Sequence, residues 1–224
     1  MDSNATHDNG VNFDTQQLVI VAYSAYAGGK FLINCLALSD HAYMQNQQRV
    51  QEQQQGLLSP RDKLQYLKHN ITAQDFRTGC VDLFDIGDDY YRTQRHCCRY
   101  WPFSSVIAEL SQGSKRFFLV AHRIDLLEHY LEVWPRAQLL AMTNAHDMVR
   151  ARGRRYLADP SWDQQIEPWV QQQQGMTFDT NTLFSESNTV NTVRKLYEFL
   201  HLPDFDADLI QQFYHLWTQN RQRH

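Results

Sequence analysis

The sequence predicts a single three-layer α/β domain with a mostly parallel central sheet, and three observations carry that expectation. Leu18–Tyr23 is a β-branched apolar run that passes through small residues into a helix-like stretch, Lys30–Leu38. Arg116–Ala121 (RFFLVA) and Ala137–Met142 (AQLLAM) repeat the pattern, each followed by a segment of helical spacing. Strand, helix, strand, helix at such intervals is the signature of parallel βαβ units. The chain has 224 residues, 42% of them hydrophobic and 12% aromatic, which is enough to bury one sizeable core.

Taken in order, residues 1–16 read as a flexible polar tail and 17–224 as the domain. Leu18–Tyr23 has no polar alternation, as expected of a central strand covered on both faces. His41–Gln55 is glutamine-rich and reads as partly helical surface. Ser59-Pro60 starts a helix, with Ser59 as N-cap and Pro60 in the first helical position, running to about His69. Cys80–Ile86 is a short strand candidate and Phe103–Leu110 a helix ahead of the Gln112-Gly113-Ser114 turn.

The spacing of Leu126, Leu127, Tyr130, Leu131 and Trp134 predicts a helix over Asp125–Trp134, stopped by Pro135. Ala145–Tyr156 reads as helix. Asp159–Gln174, with two prolines, two tryptophans and a glutamine run, reads as a surface segment with aromatic anchors. Met176–Asp179 is a last strand. Ser187–Leu200 and Asp206–Asn220 are amphipathic helices parted by Leu202-Pro203.

Composition narrows the function classes. A net charge of −4 argues against a general nucleic-acid binder, although Arg150, Arg152, Arg154 and Arg155 make one basic patch. The N-terminus lacks the basic and apolar regions of a signal peptide, and no segment is long and apolar enough to span a bilayer. Cys35, Cys80, Cys97 and Cys98 follow no disulfide-framework spacing, so a reducing, cytoplasmic setting is expected, with no membrane partner. His96-Cys97-Cys98 has no second Cys/His pair at ligand spacing, and no metal is expected. Oligomeric state is not readable from the chain.

The strongest functional signal is the loop between the first strand and the first helix. A glycine-bearing turn from a buried strand into a helix leaves room for an anion, and the first N–H groups of the helix point at it with the positive end of the dipole. Ala27, Gly28, Gly29, Lys30 and Phe31 are the candidate binding residues, Lys30 adding a point charge. Set against GxxxxGK[ST], the run Ser24-Ala25-Tyr26-Ala27-Gly28-Gly29-Lys30-Phe31 keeps the glycine–lysine pair. It places Phe31 where the magnesium-binding hydroxyl belongs, which disfavours an ATPase or GTPase.

In that order and spacing the chain resembles the sulfotransferase family, enzymes of the P-loop nucleoside triphosphate hydrolase-like fold. They move a sulfuryl group from 3′-phosphoadenosine 5′-phosphosulfate to a hydroxyl or amine without a metal. Tyr23–Phe31 is similar to the loop that binds the 5′-phosphosulfate, Gly28 matching the family glycine and Phe31 the usual tryptophan. Phe117–Leu127 resembles the strand ending in a Thr-His pair, and His122 falls on the catalytic histidine. Ala137–Ala151 is similar to the strand and turn that bind the 3′-phosphate, Asn144 and Asp147 matching the turn. Thr177–Leu202 resembles the late strand and helix. The likeness covers most of residues 17–220.

The resemblance implies a transferase whose partners are the nucleotide donor and a small-molecule or glycan acceptor. Lys30 and His122 would do the chemistry, His122 as general base, histidine being the side chain suited to that role near neutral pH. Ala27, Gly28, Gly29, Lys30, Phe31 and Asn144, with Arg150 and Arg152 from the following helix, would hold the donor. The chain departs from the pattern at Tyr26, where a lysine is usual, at Thr143 in place of the 3′-phosphate arginine, and at Ala151 in place of a serine. Two alternatives stand beside this reading: a Mg²⁺-dependent P-loop kinase or NTPase, and a sulfotransferase-like binding protein that has lost donor chemistry.

Overall fold

A computed structural model describes residues 18–24, 27–42, 59–70, 116–121, 123–144 and 161–221. Strand β1, Leu18–Ala22, is buried at every position, as its unbroken apolar run requires. It pairs in parallel with β2, Phe117–Ala121, on one side and with β3, Gln138–Thr143, on the other. The last strand, β4, Met176–Asp179, runs parallel beside β3, giving the order β2-β1-β3-β4. Ala22 lies opposite both Ala121 and Ala141, so β1, β2 and β3 leave the sheet at the same edge.

The helices cover both faces. On one, Val19, Val21, Leu140, Met142 and Phe178 join a core with α1, Gly29–Ala37, with α6, Thr189–Phe199, and with α7, Ala207–Arg221. On the other, Leu18, Ile20, Ala22, Leu139 and Ala141 are equally buried. Helix α3, Ile124–Val133, packs there on β1 and β2, and α4, Trp162–Gln172, packs on β3. Period-two alternation along the strands therefore feeds two apolar layers, each buried side chain contributing about 1.5–3 kcal/mol. The α/β class with a parallel sheet is as the sequence predicts, and among the described residues no helix is long and apolar enough to cross a membrane.

Helix α2, Pro60–Asn70, starts where the Ser-Pro pair places it. The Ser59 hydroxyl accepts the Asp62 N–H at 3.3 Å, and the Asp62 carboxylate accepts the Ser59 N–H at 3.0 Å and its hydroxyl at 2.7 Å. Those Ser59 bonds, the side-chain one foremost, hold the Asp62 carboxyl below its ordinary range. Lys63 is fully buried and donates to the carbonyls of Ser39 and Ala42 (3.1 Å to the latter), tying α2 to the end of α1. Asp204, in the turn between α6 and α7, accepts the Ser39 hydroxyl and the Asp40 N–H, each at 2.6 Å.

Two elements differ from expectation. Within the stretch read as a surface segment with aromatic anchors, Trp162–Gln172 forms a full helix, α4, because Trp162, Ile166 and Val170 repeat every four residues and bury one stripe. Pro168 sits on its exposed side, and Trp162 Nε1 donates to the Met142 carbonyl at 3.0 Å. A short helix, α5, Thr180–Leu183, follows β4 directly. The tail 1–16, residues 43–55, Cys80–Ile86, Phe103–Leu110, the 112–114 turn and Ala145–Tyr156 lie outside the described residues.

Candidate functional site

The candidate loop leaves β1 at Tyr23, whose N–H still bonds to the Ala121 carbonyl of β2 at 2.9 Å. The chain turns there, the Ala27 N–H donating to the Ser24 carbonyl at 3.0 Å. Gly28 is the N-cap of α1 at φ 91°, a left-handed conformation that favours glycine, and its carbonyl accepts the Phe31 N–H at 2.9 Å. Gly29 and Lys30 are the first two residues of α1, so their N–H groups lie in the first turn, which has no acceptor within the helix itself.

The two glycines also leave room for two aromatic rings. A Cβ on Gly28 would stand 2.3 Å from the Phe184 ring, and one on Gly29 would stand 2.2 Å from the Tyr23 ring. Phe31 is fully buried, its ring 5.1 Å from Phe184, 5.4 Å from Phe213 and 5.3 Å from Trp217. In this arrangement Phe31 anchors the helix start in the core, and Ala27 is fully buried beside it. Tyr214 donates its hydroxyl to the Phe184 carbonyl at 3.1 Å, holding that ring over the turn.

At the neighbouring strand the chemistry is polar. Asn144 follows β3 with φ 55°, and its backbone N–H donates to the Asp163 carboxylate of α4 at 3.0 and 3.2 Å. Its side-chain Nδ2 donates to Asp179 Oδ2 at 2.9 Å, while Asp179 Oδ1 accepts the Asn181 N–H at 2.6 Å and so caps α5. Thr143, at the position of the expected 3′-phosphate arginine, donates to the Phe178 carbonyl at 3.3 Å, and Thr180 donates to the Thr143 carbonyl at 2.7 Å. Two half-buried carboxylates therefore stand beside Asn144.

Ala27, Gly28, Gly29, Phe31 and Asn144 all come to one edge of the sheet, with the backbone of Lys30 in the first turn of α1. His122 follows β2 in the chain and lies outside the described residues, as do Tyr26, Arg150 and Arg152. Asp163, Asp179, Tyr23 and Phe184 were not singled out from the sequence. Asp179 carried a signal, because Asp-Thr-Asn after a strand is an N-cap pattern. Asp163 and Phe184 act through contacts distant in sequence, and Tyr23 through the nearby Gly29.

Among the described residues no group of three or more His, Cys, Asp or Glu is placed to hold a metal. A groove of about 670 Å³ opens at the opposite edge, by Ala137 and Gln138 at the start of β3, and none of the candidate residues lines it. Compared with protein-family models, with curated proteins and with solved structures, the chain matches none.

Proposed function

We propose that the chain is a transferase that moves a sulfuryl group from 3′-phosphoadenosine 5′-phosphosulfate to a hydroxyl or amine of a small molecule or glycan. The single observation that supports the reading is convergence. The glycine turn after β1, His122 after β2 and Asn144 after β3 were read from separate parts of the sequence, and the three strands end in register at one edge. In open parallel sheets that edge is where ligands bind, and β1 with β3 forms the point where the connections part to opposite sides.

The chemistry asked of these residues is modest. The N–H groups of Gly29 and Lys30, with the Lys30 charge, would hold the 5′-phosphosulfate and offset the charge that develops on the bridging oxygen. The acceptor oxygen or nitrogen attacks sulfur in line, the bond from sulfur to the bridging oxygen breaks, and the adenosine phosphate leaves with that electron pair. The imidazole of His122 takes the acceptor's proton. No metal enters these steps.

Titration calorimetry against adenosine nucleotides bearing a 5′-phosphate, without Mg²⁺ and beside ATP with Mg²⁺, tests the reading. Metal-independent binding weakened at least ten-fold in Lys30→Ala supports it, as does His122→Ala protein that binds nucleotide normally and no longer turns over. Binding only of Mg²⁺-ATP would assign a kinase or NTPase instead. A second reading, a sulfotransferase-like binding protein without donor chemistry, is favoured by the carboxylates that occupy both Asn144 donors. It predicts folded protein that binds no adenosine nucleotide.

A further inference from the structure

The groove at the start of β3 lies apart from the glycine turn, and its walls are two regular helix faces. One is the α3 face of Glu128, Leu131 and Glu132, the other the α4 face of Trp169, Gln172 and Gln173. Each set has the i, i+3, i+4 spacing that puts three side chains on one side of a helix. The groove holds about 670 Å³, within the range of about 300–1,000 Å³ that small-molecule sites occupy.

Two observations point to a ligand there. Helix α4 carries two tryptophans, of which Trp162 is buried and donates its N–H to the Met142 carbonyl. Trp169 is half-buried, lines the groove and makes no hydrogen bond or ring contact among the described residues. An indole left wet in a concave site offers a stacking surface, its negative face suited to polarised C–H bonds.

The second observation is Gln174. Helix α4 ends with the Gln174 N–H on the Gln171 carbonyl at 3.3 Å and the Gly175 N–H on the Val170 carbonyl at 2.8 Å. Glycine is usual at the left-handed position of that motif, yet Gln174 holds it, at φ 50°, and lines the groove. Gly175 answers a different need, because a Cβ there would stand 2.7 Å from the Leu139 carbonyl oxygen. The left-handed position therefore accepts strain that a glycine would spare and keeps a side-chain amide at the groove.

The polar lining indicates the class of ligand. Glu128 and Glu132 offer acceptors, Arg136 offers donors, and the amides of Gln172, Gln173 and Gln174 offer both. An ionic ligand of either sign would use part of that set and meet like charge in the rest. A neutral sugar uses all of it: its vicinal hydroxyls donate and accept, and its C–H face lies on an indole.

We infer that the groove between α3 and α4 binds a neutral saccharide, stacked on Trp169 and hydrogen-bonded by Gln174 and the neighbouring amides. The inference does not rest on the sulfuryl-transfer reading, whose candidate residues lie at the other edge of the sheet.

Calorimetric titration of the whole chain with maltotriose, cellotriose and triacetylchitotriose, beside tetramethylammonium and sulfate, decides it. At least one trisaccharide should bind at about 1 mM or tighter, and neither ion more tightly. Trp169→Ala should weaken that saccharide about ten-fold, the loss of its stacking surface. Gln174→Gly should weaken it about three-fold, yet unfold at the same or a higher urea concentration because it relieves the left-handed strain. A Gln174 with only a structural role would change stability without changing affinity. No trisaccharide bound by the folded chain overturns the inference, as does tighter binding of tetramethylammonium or sulfate. Unchanged saccharide affinity in well-folded Trp169→Ala, or in Gln174→Gly, overturns it too, and each of these results leaves sulfuryl transfer standing.

Discussion

The turns after β1 and β3 leave neighbouring strands at the same edge, yet the first is closed by aromatic rings and the second by carboxylates. At the first, glycine serves geometry: Gly28 takes φ 91°, and both Gly28 and Gly29 clear the way for Phe184 and Tyr23. At the second, Asn144 takes φ 55° without glycine, because its side chain and N–H are secured by Asp179 and Asp163. Two left-handed turns are thus stabilised by opposite means. A glycine–lysine turn read as a place for an anion is also a packing solution, and the polar side chains gather at the end of the other strand.

The largest effect should come from the ring beneath the first turn. Phe31→Ala removes a fully buried side chain in contact with Phe184, Phe213, Tyr214 and Trp217. A loss of about 4 kcal/mol in urea unfolding is expected. A loss under about 1 kcal/mol would mean that the ring does not anchor the turn and that the two turns are less different than described.

Next comes the glycine itself. In Gly28→Ala, left-handed strain of about 1–2 kcal/mol adds to overpacking against Phe184 of about 1–3 kcal/mol, so about 3 kcal/mol is expected. In the Phe184→Leu background the clash is relieved and the added cost of Gly28→Ala should fall to about 1 kcal/mol. If Gly28→Ala leaves stability unchanged while abolishing nucleotide binding, the glycine serves the ligand and not the ring.

This contrast also separates what the sequence could reveal from what it could not. Leu18–Tyr23 and Ala137–Met142 were legible as strands because burial on two faces leaves a mostly apolar run, and the Ser59 start of α2 because its cap is local. Helix α4 was obscured: its buried stripe is three residues set among glutamines, with a proline inside. The site divided along the same line. The glycines announced a turn, but Phe184 meets Gly28, and Asp163 and Asp179 meet Asn144, across 156, 19 and 35 positions of chain. Such meetings are fixed by strand order, which no local pattern encodes.

The smallest effect belongs to the second turn and tests its stabilisation most finely. Asn144→Gly keeps the left-handed backbone and its N–H to Asp163, and loses only the bond from Nδ2 to Asp179. Because Asn144 is exposed, the cost should be about 1 kcal/mol, at the low end for a bond to a charged group. Asn144→Ala loses the same bond and adds left-handed strain, so it should cost about 1 kcal/mol more than the glycine variant. Without the amide, the Asp179 carboxylate loses a donor while Asp163 also stands beside the turn, and added salt should narrow the gap between either variant and the parent. If the alanine and glycine variants prove equally stable in urea unfolding at low and high salt, the turn does not depend on its φ. The carboxylates would then owe their place to α4 and α5, and Asn144 would be carried between them without holding them.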